Sequence, residues 1–256
     1  MDDPRVIAAV ISGVVALITA AFTHAFILRR EREEKRREQE EKRLEERKTV
    51  QLEYLNPLRL YLIGNQFRLS EILARLSDSQ QQQEKPLLVI EQAAEISGKE
   101  AAWYNGTGCY LVSSCYLTAC LFGCLYRVRQ VIPFLELSNK NDTELLALST
   151  SVSLGFLRNL GIFYVTQFSI GTEMYNADDN RLLSYREFCD LLSDEKRSQW
   201  FYRLIGFYLQ TGRGENLYRV NEALQSIKNL AEFLDHSVGG GESLAERYRL
   251  EGIDAL

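Results

Sequence analysis

The chain has 256 residues, 46% hydrophobic and 25% charged, with a net charge of −5. Beyond residue 48 it carries 19 basic and 25 acidic side chains, a surface that discourages non-specific nucleic-acid binding. The five cysteines are odd in number, and four of them (Cys109, Cys115, Cys120, Cys124) share one apolar stretch with Cys189 apart, which excludes a secreted disulfide framework and reads as reduced, buried thiols.

Val6 to Leu28 are 23 residues without a formal charge, closed by Arg29 and Arg30. At about 1.5 Å per residue they run roughly 35 Å as a helix, enough to cross a hydrocarbon core of about 30 Å. A cleaved signal peptide is shorter and ends in a small-residue site, whereas this run ends in charge. Asp2, Asp3 and Arg5 precede it, while Arg29, Arg30, Arg32, Lys35, Arg36 and Arg37 follow as a basic collar. Basic residues favour the cytoplasmic side, so the expectation is a single-pass protein, N-terminus outside and C-terminal bulk cytoplasmic, in the inner membrane if bacterial. The sequons at Asn105 and Asn141 carry meaning only in the opposite orientation.

Small residues recur along this segment: Ala8, Ser12, Ala16 and Ala20 every fourth position, with Ala9 and Gly13 beside them. Lipid offers helices little hydrophobic reward for pairing, so close approach over small side chains is a main source of association. The stripe is expected to hold a homo-oligomer, against the plainer reading that alanine is common in membrane helices. His24 continues the same edge and is a candidate gate in an oligomeric conduit, although a histidine near the interface also snorkels.

Arg29 to Lys48 are almost wholly charged, ten basic and eight acidic residues with Leu44 the only apolar one. Opposite charges fall four apart, as in Arg29 with Glu33, Arg30 with Glu34 and Glu38 with Lys42, a pattern that holds a solvated helix without a core. A coiled-coil-like stalk continuing the membrane helix is expected. The domains read as 1–28 tail and transmembrane helix, 29–49 stalk, and 50–256 cytosolic helical bundle, all-α throughout.

In the bundle, Leu55, Leu58, Leu62, Asn65, Leu69, Ile72 and Leu76 step by three and four, as do Leu217, Val220, Leu224, Ile227, Ala231 and Leu234. Both are seams for helix packing. Asn65 on the first seam either fixes register or sits where a helix edge reaches water. Pro57 marks a kink or break from the stalk. A short amphipathic helix is expected near Leu87 to Ile96 and a turn around Asn105 to Gly108. Tyr110 to Tyr126 lack charge, but Ser113, Ser114, Thr118 and three tyrosines dilute them, so a core helix is preferred to a second crossing. A further helix is expected from Asp142 or Thr143 through Leu160, softened by Gly155 and Gly161.

Asn176, Asp178, Asn180, Ser184 and Glu187 fall at positions 1, 3, 5, 9 and 12 of a loop similar to an EF-hand calcium loop, with Arg181 where that loop wants glycine. A capping box from Ser184 to Glu187, opening a helix from Tyr185 to Leu192, explains the same residues more simply. Gly212-Arg213-Gly214 and Gly239 to Gly241 read as helix terminators rather than phosphate loops. The carboxylate pairs Asp142 with Glu144 and Asp190 with Asp194 lie on polar surfaces. Cys120 and Cys124 share a face, but only His24 and His236 remain to complete a metal set. No cofactor and no enzymatic activity are expected.

Trp200, Phe201, Tyr202, Phe207 and Tyr208 crowd one helix and Phe163, Tyr164 and Phe168 another, so any ring left outside the core marks a partner or subunit surface. The sequence therefore points to a membrane-anchored, homo-oligomeric helical module that binds the bilayer and a protein partner of unknown identity, acting as a scaffold. The alternative is an oligomeric pore-forming effector, as in bacterial stress or antiviral defence.

Overall fold

The computed structural model describes residues 4–77, 85–131, 141–157, 161–176 and 178–238. The chain divides into two compact units, Met1–Thr49 and Val50–Leu256. The first is built on one helix, α1 (Pro4–Val50). The second begins with a π-helical turn, Gln51–Leu55, and continues as α2 (Asn56–Ser77). Pro57 lacks the N–H that would bond four residues back, and the π-helical turn lies immediately ahead of it.

The remaining elements are helical apart from one minimal hairpin. They are α3 (Ala101–Asn105), α4 (Cys109–Val131), α5 (Asn141–Leu157), α6 (Tyr164–Glu173), strands β1 (Tyr175–Asn176) and β2 (Arg181–Leu182), α7 (Tyr185–Ser193), α8 (Glu195–Ser198), α9 (Tyr202–Gly212) and α10 (Leu217–Val238). The strands pair antiparallel, Tyr175 opposite Leu182 and Asn176 opposite Arg181. The expected helix near Leu87 to Ile96 is absent. Pro86 starts a turn closed by Leu88 N–H to the Lys85 carbonyl, and a single 3-10 turn, Ala93–Ile96, follows. Leu87, Ile90 and Ile96 are buried all the same, so the apolar pattern survives without the helix.

Helix α4 is the axis of the second unit. Leu111, Val112, Cys115, Ala119, Leu121, Phe122, Leu125 and Val128 are buried on several of its sides, against α2, α6, α7 and α9. It is long and apolar enough to cross a membrane, but 67% of its most apolar window is buried within the unit, in keeping with a core helix. Both predicted seams are present. Leu58, Leu62, Leu69 and Ile72 of α2 are buried, as are Val220, Leu224, Ile227 and Leu234 of α10, and these two helices pack on each other. Each such side chain contributes roughly 1.5–3 kcal/mol by leaving water.

Helix α10 packs on α5 at Gly155, where a Cβ would come within 2.7 Å of the Ala223 Cα. This glycine therefore sets a close helix crossing; it does not simply soften α5. Across the core, a Cβ on Gly171 of α6 would meet the Phe122 carbonyl of α4 at 2.8 Å.

Asn65 lies at 0% exposure, which removes the solvent-edge reading. Its Nδ2 donates to the carbonyls of Tyr61 (2.7 Å) and Leu117 (2.8 Å), and its Oδ1 accepts from Thr118 Oγ1 at 2.7 Å. Thr118 Oγ1 in turn lies 2.6 Å from the Tyr208 hydroxyl. One polar chain thus fixes α2, α4 and α9 in a single register within the unit. A second tie is the Arg59–Asp235 ion pair, 2.6 Å long and nearly buried, between the first turn of α2 and the end of α10.

Candidate functional site

At about 1.5 Å per residue, the 47 residues of α1 extend roughly 70 Å, and residues 6–28 take up about half of that. With about 100° of rotation per residue, the backbone sets positions 9, 13, 16 and 20 within about 60° of arc, with position 24 at its edge and position 12 flanking it. Ala8 lies further round, and the branched residues Ile7, Ile11, Val14 and Ile18 fall on the opposite half. Gly13 is exposed, with nothing within 4 Å of where its Cβ would stand. The side chains of Ala8, Ala9, Ser12, Ala16 and Ala20 lie outside the described residues.

Where side chains of the apolar run are described, they are uncovered: Phe22 is 73% and Phe26 69% exposed, and Ile27 and Leu28 are also exposed. His24 is exposed too. A row of bare rings and branched chains is unfavourable in water by roughly 25 cal/mol for each Å² of apolar surface.

Arg29, Arg30, Arg32, Lys35, Arg36 and Arg37 are all exposed along the next turns. The pairs Arg29–Glu33 (3.5 Å) and Arg30–Glu34 (3.1 Å) form as the spacing requires, and Arg36–Glu40 (3.2 Å) joins them. Each contributes only a few tenths of a kcal/mol, enough in series to support a solvated helix. Arg32, Lys35 and Arg37 make no ion pair among the described residues and leave the collar with net positive charge.

The loop that mimics a calcium site uses its own carboxylates internally. Arg181, at the glycine position, grips Glu187 through two bonds of 2.7 and 2.8 Å and reaches Asp179 at 3.2 Å. Ser184 caps α7, accepting from Glu187 N–H while Glu187 receives the Ser184 N–H at 2.7 Å, the predicted capping box. Arg181, followed by Ser184, holds the Glu187 carboxyl far below its usual range. Asn176 Oδ1 accepts from the Asp178 and Asp179 N–H groups, ordinary turn chemistry. Asp194 likewise serves as the cap of α8.

All five cysteines are free thiols, Cys109 half-buried and the others buried. Burial pushes Cys120 up to about 12 and raises Cys115 and Cys124 further, so these sulfurs stay protonated hydrophobes. No group of three or more metal-ligating side chains occurs among the described residues.

The aromatic crowd sorts as the sequence implies. Phe201, Phe207 and Tyr208 are core, whereas Trp200 (56% exposed) and Phe163, Tyr164 and Val165 at the start of α6 face out. Gly214, at φ +78°, ends the α9 corner as a terminator should. Gly239 to Gly241 lie outside the described residues.

One site escaped the sequence reading. A cavity of about 520 Å³ lies among α2, the start of α4, the Lys85–Leu88 turn and the α9–α10 corner. Its residues come from four separate segments, and no local motif joins Arg75, Lys85, Tyr110 and Arg213.

Comparison of the chain with protein-family models, with curated proteins and with solved structures finds no match.

Proposed function

We propose that this chain is a single-pass, membrane-anchored, non-enzymatic and homo-oligomeric protein, whose cytosolic helical domain binds a partner or scaffolds an assembly at the membrane. The observation that carries the reading is the uncovered apolar surface of α1, with Phe22 and Phe26 bare immediately before a net-positive collar. A lipid core would cover that surface, and the collar would sit at anionic headgroups on the cytosolic side. We assign the partner surface to the exposed Phe163, Tyr164 and Val165 turn and to Trp200, apolar side chains left outside the core.

Assembly is assigned to the small-residue half of α1. Replacing Gly13 and Ala16 by leucine puts bulk on that face, and the expected outcome is a smaller particle mass in detergent by light scattering. An unchanged mass counts against this face as the oligomer contact.

A second reading, a ring of α1 helices that permeabilises the bilayer as a stress or antiviral effector, draws on His24 at the edge of that same face. Dye release from liposomes separates the two. Intact liposomes at saturating protein support the scaffold, and leakage abolished by Gly13→Leu and Ala16→Leu supports the pore.

A further inference from the structure

The α9–α10 cavity has the makings of a ligand site, and its chemistry is distinct from that of the anchor. Its apolar wall is Ile72, Leu76, Leu87 and Leu217, and its cations are Arg75, Lys85 and Arg213. Arg213 is fixed by an Nη2 bond of 2.6 Å to the Glu91 carbonyl, and neither it nor Lys85 has a carboxylate partner among the described residues. None of the described lining residues is acidic, and Glu71 nearby is bound to Arg75 at 3.0 Å and faces Arg68 at 3.6 Å. Cationic charge therefore exceeds anionic charge here, in a domain whose overall balance is acidic.

The Tyr110 hydroxyl, another wall group, is enclosed and makes no close hydrogen bond among the described residues, with the Glu71 carboxylate the acceptor nearest to it in charge and bonding. Burial, then the Glu71 charge, opposed by Arg68 and Arg75, pushes its pKa up to about 12, so it remains a donor at neutral pH. Donors and cations together with branched aliphatics in one lining suit a ligand with an anionic head and an apolar body. The body is aliphatic and not a nucleobase. Tyr110 is the sole aromatic ring among the described lining residues, and Arg68 and Arg75 already cover it at 4.4 and 5.5 Å.

We infer that this cavity binds a small soluble amphipathic anion, a short alkyl chain bearing one phosphate or carboxylate. Its volume falls within the roughly 300–1,000 Å³ of small-molecule sites.

The test is calorimetric titration of the full chain in phosphatidylcholine nanodiscs, with empty discs subtracted and hexyl phosphate, inorganic phosphate and 1-hexanol as probes. Hexyl phosphate is expected to bind saturably at one site per chain, at least tenfold tighter than either fragment. Lys85→Gln and Arg213→Gln are expected to weaken it at least threefold singly and tenfold together, with the thermal unfolding of Lys85→Gln unchanged. No saturable binding, equal affinity for inorganic phosphate, or unaltered affinity in both variants overturns the assignment. Competition by nanodiscs containing phosphatidic acid overturns the soluble-ligand choice.

Discussion

Asn65 offers the sharpest test of how the bundle is held. In Asn65→Ala three buried hydrogen bonds vanish, two to the Tyr61 and Leu117 carbonyls and one from Thr118. Both carbonyls lie within helices and keep their helical bonds, whereas the Thr118 hydroxyl loses its acceptor and keeps only the contact with Tyr208, so the loss is at least that of three bonds. At about 1 kcal/mol per bond the variant loses about 3 kcal/mol. For a domain of about 200 residues that lowers Tm by roughly 6–12 °C, read from circular dichroism of the full chain. Thr118→Val removes one of the same bonds, so the double variant should fall short of the summed losses by about 1 kcal/mol. A Tm shift below about 2 °C, or strictly additive losses, refutes the idea of one polar chain locking three helices.

Two further outcomes follow from the electrostatics. Arg181 and Ser184 hold the Glu187 carboxylate below its ordinary pKa, so its stabilising effect is complete above the ordinary carboxylate range and is lost as pH falls toward the depressed value. Thermal unfolding of Glu187→Gln should accordingly show a shallower loss of Tm on acidification from about pH 5 than the parent, and parallel curves would contradict the assigned cap. Among the thiols, Cys109 alone is half-buried while burial raises Cys115, Cys120 and Cys124. Iodoacetamide at about pH 8 should alkylate Cys109 first and leave those three unlabelled until denaturant is added, as mass spectrometry of the peptides would show.

Periodicity was the most legible signal. The seams of α2 and α10, the Ser184 cap and the burial of α4 are all local patterns whose physics is complete within one segment, and each is present in the fold. The Leu87–Ile96 stretch shows where pattern fails. Its apolar spacing fits a helix, but Pro86 and the bond that the Gln92 N–H donates to Glu95 Oε1 make it a turn that buries the same side chains. Gly155 was read for its flexibility because its tight contact, the α10 backbone at Ala223, lies 68 positions away. Asn65 likewise showed its polarity but not its distant partners, Leu117 and Thr118. The cationic cavity was invisible for the same reason. Arg75, Lys85 and Arg213 belong to different segments, and only the fold joins them.

The proposal that α1 spans a bilayer with residues 50–256 on the cytosolic side is tested most directly by protease protection. Protease is added outside sealed cells that express the chain with an epitope at its C-terminus, and the membrane fraction is then blotted. The epitope should sediment with membranes, resist alkaline carbonate and survive digestion until the cells are lysed. Release into the soluble fraction, or digestion of the epitope in intact cells, contradicts the account.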